Sequence, residues 1–113
     1  MVIEWKLEMK SPSYSNTIIK RAGGSRTYTK ARKMVSDSIE FNQRVWPERG
    51  LRPADHFEVF FRTIEPRKPF GQQGHDKSYT KVFSGDYNAW KEWLEWAANE
   101  EVTQTPPGTS SRL

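Results

Sequence analysis

Between Val2 and Lys10 apolar and charged residues alternate without a break: Ile3, Trp5, Leu7 and Met9 fall on one side, Glu4, Lys6, Glu8 and Lys10 on the other. A period of two with mixed charge outward predicts a half-buried antiparallel strand. Ser11-Pro12-Ser13 is turn chemistry, and Tyr14 to Ala22 returns as a second strand, which makes a hairpin. Gly23-Gly24 then allows a tight strand-to-helix turn, with Ser25 as the expected N-cap of the helix that follows. At 100° per residue, Tyr28, Ala31, Met34, Val35, Ser38, Ile39, Phe41, Val45 and Trp46 share one arc. Thr29, Arg32, Lys33, Ser36, Asp37, Glu40 and Arg44 lie opposite, and Pro47 is expected to stop the helix.

His56 to Ile64 is aromatic and β-branched enough for a central strand, with Phe57, Val59, Phe61 and Thr63 on one face and His56, Glu58, Phe60, Arg62 and Ile64 on the other. Two prolines and two glycines between Glu65 and Asp76 break it, and Lys77 to Phe83 resumes as a fourth strand. Asp86 opens a last helix, whose stripe of Tyr87, Trp90, Trp93, Leu94 and Ala97 reads as core. The order is β-β-α-β-β-α. It predicts an α+β fold, a two-layer sandwich in which two helices cover one face of a four-stranded, mainly antiparallel sheet. The other sheet face is left to solvent or a partner, and Lys6, Lys10, Arg62 and Lys81 are the candidates for it. Residues 1–102 read as a single α+β domain, and the polar, Pro/Gly/Ser-rich residues 103–113 as a disordered tail.

Charge adds a direction. Eighteen Lys and Arg against 14 Asp and Glu give a net charge of +4, a bias toward polyanionic partners. It is unevenly spread. No acid occurs between Glu8 and Asp37, whereas residues 86–101 carry five acids against Lys91 alone. With no cysteine there is no disulfide, thiol nucleophile or thiolate metal site. No apolar run reaches the roughly 18 residues of a membrane helix, and the first residues lack the pattern of a secretory signal, so the expected location is cytoplasmic.

The chemistry available is that of binding. No Gly-x-Ser-x-Gly elbow or Walker-type Gly-Lys-Ser/Thr occurs, and His56 and His75 lack metal-ligand spacing. The chain therefore reads as non-catalytic, with no cofactor and no metal. A Gly-rich turn into a helix N-terminus surrounded by cations suits phosphate. The expected nucleic-acid-binding residues are Lys20, Arg21, Gly23, Gly24, Ser25, Arg26, Lys30 and Lys33, joined by Arg67, Lys68, Lys77 and Lys81 from the second half. Arg49 and Arg52 form a third basic group, Tyr14, Tyr28, Phe70 and Tyr79 are available for stacking, and Asn42, Gln72 and Gln73 for base edges. Ile19 to Met34, with Gly23-Gly24-Ser25-Arg26-Thr27 at its centre, resembles the strand-to-helix junction of the tombusvirus RNA-silencing suppressors, which bind short duplex RNA as dimers. The likeness spans about a dozen positions and transfers no residue roles, but it adds duplex RNA, and a homodimer, to the expectations. The reading is thus a small basic nucleic-acid-binding protein, DNA or RNA, directed at phosphate. The alternative is a protein-interaction module, an accessory or inhibitory subunit, that meets its partner through the acidic Trp-rich last helix.

Overall fold

The alternation in the first nine-residue segment becomes the middle of a sheet. In the computed structural model, which describes residues 2–14, 17–64 and 78–100, β1 (Val2–Lys10) pairs antiparallel with both β2 (Ile18–Ser25) and β3 (His56–Ile64). β4 (Thr80–Gly85) pairs antiparallel with the far side of β3, so the order is β2-β1-β3-β4. α1 (Tyr28–Glu48) packs on β1 and β2, and α2 (Tyr87–Glu100) on β3 and β4. The core is one cluster: Ile3, Trp5, Leu7 and Met9 of β1 and Phe57, Val59 and Phe61 of β3 meet Ala31, Val35 and Ile39 of α1 and Trp90, Trp93 and Ala97 of α2. Both helices therefore cover the same sheet face. The α+β two-layer arrangement expected from the pattern is the one observed. The proposed tail lies outside the described residues, and among the described residues no helix is long and apolar enough to cross a membrane.

Boundaries differ where tertiary contacts decide them. Gly23, Gly24 and Ser25 do not turn. They continue β2, opposite Trp5, Glu4 and Ile3. The reason at Gly23 is steric: a Cβ there would stand 2.7 Å from Cζ2 of Trp5, whose indole lies across the glycine. The cap accordingly moves to Thr27, whose Oγ1 accepts from the Lys30 N–H at 3.1 Å, while Ser25 Oγ donates to the Thr27 carbonyl at 2.6 Å. At the other end Pro47 sits inside the last turn. The helix ends one residue later, at Glu48, and beyond it Gly50 at φ +75° lets its own N–H reach the Pro47 carbonyl and the Leu51 N–H reach that of Trp46, a Schellman closure.

α1 is also rotated from the expected arc. Phe41 is 49% exposed, and its inward position is taken by Asn42, 2% exposed. Asn42 Oδ1 accepts from the Ala54 N–H at 2.7 Å, and Gln43 Nε2 donates to the Ala54 carbonyl at 2.8 Å, so the connection to β3 is pinned to the helix. Asn42 is therefore a structural residue rather than a reader of bases. Arg32, placed on the outer arc by periodicity, is only 6% exposed; its guanidinium reaches Thr29 Oγ1 at 3.4 Å, and burial lowers its pKa. The last boundary change is in β4, where Val59 faces Phe83 and Phe60 faces Lys81, which leaves Val82 as a bulge. The bulge turns two consecutive apolar side chains, Val82 and Phe83, into the core.

Two stability tests follow from these contacts. Gly23→Ala should cost roughly 1 to 3 kcal/mol through overpacking against Trp5. Gly24→Ala should be nearly neutral, because its nearest non-neighbour atom would be the Ile3 carbonyl at 3.4 Å. Urea unfolding of the two variants checks the contrast; equal midpoints would contradict the Trp5 contact. In the same assay Thr27→Ala should cost about 0.5 to 2 kcal/mol and more than Ser25→Ala.

Candidate nucleic-acid interface

Register decides which side chains share the uncovered face. Across the sheet, Lys20, Glu8, Glu58 and Ser84 form one row, Ala22, Lys6, Phe60 and Lys81 the next, and Gly24, Glu4 and Arg62 the one after. Lys10 and His56 lie at one end, opposite Ile18. Among the described residues, five cations (Lys6, Lys10, Lys20, Arg62, Lys81) thus face three carboxylates (Glu4, Glu8, Glu58) on a layer that neither α1 nor α2 covers. Each carboxylate has a partner. Arg62 Nη2 lies 2.6 Å from Glu4 Oε1, Lys6 Nζ 3.7 Å from Glu8 Oε2, and Lys81 Nζ 3.4 Å from Glu58 Oε2. The excess charge falls to Lys10 and Lys20, which have no acid in ion-pair range among the described residues.

Tyr79, just before β4, joins this face under Arg62, whose guanidinium carbon is 4.4 Å from the ring centroid. Lys6 Nζ stands 4.8 Å from the Tyr79 centroid and 4.5 Å from that of Phe60. Glu58 is the most connected acid. Its Oε2 lies 3.4 Å from His56 Nε2, the same-face pair expected from their spacing, and accepts from Ser84 Oγ at 3.4 Å. Burial pushes the Glu58 carboxyl up, but the bonds from His56 and Lys81 and their charges outweigh it and hold the group below the ordinary carboxylate range. The opposite directions of these causes show that partners, not depth, govern this site.

Among the described residues, the expected binding residues do not share one face. Lys20 and Lys81 share the open face on opposite edge strands. Arg21 lies on the helix side of β2 and folds back, its Nη1 donating to the Lys20 carbonyl at 2.9 Å. Arg26 is exposed in the link to α1, and Lys30 and Lys33 are exposed on α1, where Lys33 pairs with Asp37 at 3.2 Å. The Gly23-Gly24-Ser25 backbone belongs to the sheet, not to a phosphate-cradling turn. Arg67, Lys68, Lys77, Phe70, Gln72, Gln73 and His75 lie outside the described residues. Arg52 sits at the Ser11 end of β1, where Ser11 Oγ donates to its carbonyl at 2.6 Å, while Arg26 follows Ser25 at the Ile3 end. Nine residues of strand put those ends about 25 Å apart, so these two basic groups are not gathered. Two of the proposed stacking rings are also engaged: Tyr28 packs on Phe61 and Tyr14 edge-on against Trp46, each with centroids 5.7 Å apart. Lys6, Phe60 and Arg62, absent from the expected binding set, are at the centre of the open face; the strict alternation of β1 and β3 was the signal for them.

Two depressions flank the sheet. A groove of about 570 Å³ runs between β4 and α2, lined by Val82, Phe83, Ala89, Trp93 and Trp96 with Lys81, Ser84 and Glu92. A smaller one, about 290 Å³, lies between β2 and α1 beside Arg21, Asp37 and Phe41. No family model, curated protein or solved structure matches this chain.

The Glu58 cluster has a pH signature. Because folding lowers this pKa, the unfolded chain takes up the proton first as pH falls. The stability that Glu58 contributes is complete above the unfolded pKa and is lost as pH drops through the folded one. Glu58→Gln should therefore be less stable than wild type at neutral pH, by under about 1 kcal/mol for a half-exposed cluster, with the gap closing in acid. Urea midpoints at several pH values read it out; a gap that is constant down to pH values below the ordinary carboxylate range would contradict the assignment.

Proposed function

We propose that this chain is a non-catalytic nucleic-acid-binding domain that engages phosphates with the open face of its sheet. One observation carries the reading: the open sheet face is net positive and α2 is net negative. The open face holds Lys6, Lys10, Lys20, Arg62 and Lys81 against Glu4, Glu8 and Glu58, whereas α2 and its cap carry Asp86, Glu92 and Glu95 against Lys91. A polyanion approaching the sheet meets net positive charge with the acids of that face already paired, and approaching α2 it meets repulsion. Four strands at about 4.8 Å spacing set the edge strands that carry Lys20 and Lys81 roughly 14 Å apart, so contacts to several phosphates are available at once. Lys and Arg at such positions supply affinity without sequence preference.

A second reading, a module for a basic protein partner, is favoured by the groove beside α2, where Trp93 and Trp96 line the floor next to Glu92. It predicts a change in Trp emission with a basic apolar peptide and none with oligonucleotides.

Anisotropy of labelled DNA and RNA between about 50 and 200 mM salt separates the two. Counterion release makes log K fall linearly with log salt, by about 0.7 to 0.9 per phosphate contacted. The double substitution Lys6→Ala with Lys81→Ala should lower affinity for every sequence and reduce the slope by about one per lost contact. Arg44→Ala, on α1, should change neither. Absence of binding by the wild-type protein at about 50 mM salt, or an unaltered slope in the double variant, would overturn the proposal.

A further inference from the structure

We infer that the open face takes single-stranded rather than duplex nucleic acid, with neighbouring bases stacked on Phe60 and Tyr79; this rests on the phosphate-directed reading of the same face. The two rings come from different parts of the chain and flank a single ammonium, that of Lys6, at 4.5 and 4.8 Å from their centroids. Arg62 lies over Tyr79 at 4.4 Å, and Lys81 over Phe60 at 5.9 Å. Other rings spend their faces in the core: Tyr28 on Phe61, Phe83 on Trp90 and Trp93. Phe60 and Tyr79, both half-buried, are held by cations instead.

Those cations are the groups that a phosphate would draw away. Lys6 and Lys81 have long flexible stems and sit on the solvent side of the sheet, so each can leave a ring for a phosphate without disturbing the core. A cation over an exposed ring contributes about 2- to 5-fold in an equilibrium constant. A base stacked on an aromatic side chain contributes about 5- to 150-fold. Exchanging the first for the second favours the bound strand, and the displaced cation trades its half-exposed ion pair with Glu8 or Glu58 for a phosphate. A duplex cannot make this exchange, because its bases are already paired and stacked, and it offers the flat face only its backbone. Nor is there, among the described residues, a helix projecting from the open face to enter a groove. The small residues Ala22 and Gly24 on β2 leave the approach to the two rings low on that side.

The test compares an oligothymidylate of about a dozen nucleotides with a duplex of the same length, by anisotropy at about 50 mM salt. Phe60→Leu and Tyr79→Leu keep apolar bulk and remove the π face, and unfolding midpoints near wild type show that each variant is folded. Each should weaken single-strand binding about 5-fold or more with an unchanged salt slope, and alter duplex binding less than about 2-fold. Tyr79→Phe should bind the single strand like wild type. The inference is overturned if the duplex binds as tightly as the single strand, or if both Leu variants bind the single strand as wild type does. If in that case Lys6→Ala with Lys81→Ala still weakens binding, the phosphate-directed reading stands without it. If neither oligonucleotide binds, both fall together.

Discussion

The indole of Trp5 lying across Gly23 is the contact on which the arrangement of this sheet depends. Trp5 is buried, yet it stands on β1 directly opposite β2, whose helix-facing positions are Ile19, Arg21, Gly23 and Ser25. Only a residue without a side chain leaves room for the ring, since a Cβ would come within 2.7 to 2.9 Å of three of its atoms. Ala22 in that place would put a Cβ into the indole; in the observed register, with Gly23 opposite Trp5, Lys20 projects from the open face. The cost of the contact is the indole N–H, which has no acceptor among the described residues; the buried area of a tryptophan side chain, worth a few kcal/mol at about 25 cal/mol per Å², outweighs it.

Once the faces are fixed, the two sides of the sheet do different work. The covered side is dense with aromatic contacts, including Trp90 stacked on Trp93 with centroids 5.1 Å apart. The open side is a lattice of half-exposed ion pairs and cations on rings, each contributing on the order of 1 kcal/mol or less. Stability is thus concentrated in one layer, and the other can exchange partners cheaply. Replacing Lys6–Glu8 or Lys81–Glu58 by other contacts would therefore disturb little that the fold requires.

Much of the fold was legible because the patterns are long. Nine alternating residues in β1 and the 3.6-residue period of the two helices identify the elements, and the faces of β1 and β3 assign Lys6, Lys10 and Arg62 outward, as the register shows; Lys81 of β4 joins them through the bulge at Val82. What was not legible depends on partners distant in sequence. Ser25 and Thr27 are equally good caps, and the choice is made by Trp5, which keeps residues 23–25 in the sheet. Asn42 looks like a solvent-facing polar residue until Ala54 presents it with a buried N–H. Pro47 looks like a stop, but the last helical turn tolerates it and Gly50 makes the closure. The candidate site suffered most from the same blindness: residues 20–33 look like one cluster along the chain, but the strand-to-helix link places Lys30 and Lys33 in the helix layer, while Lys6 and Lys20 face away from it.

The proposed interface is the sheet, not the start of α1. Lysine footprinting by limited acetylation, read by mass spectrometry with and without a saturating single-stranded oligonucleotide, addresses it on the unmodified chain. Lys6, Lys20 and Lys81 are expected to lose reactivity when the oligonucleotide is present while Lys33 and Lys91 keep theirs. Protection of Lys30 and Lys33 with Lys6 and Lys81 unchanged would contradict it.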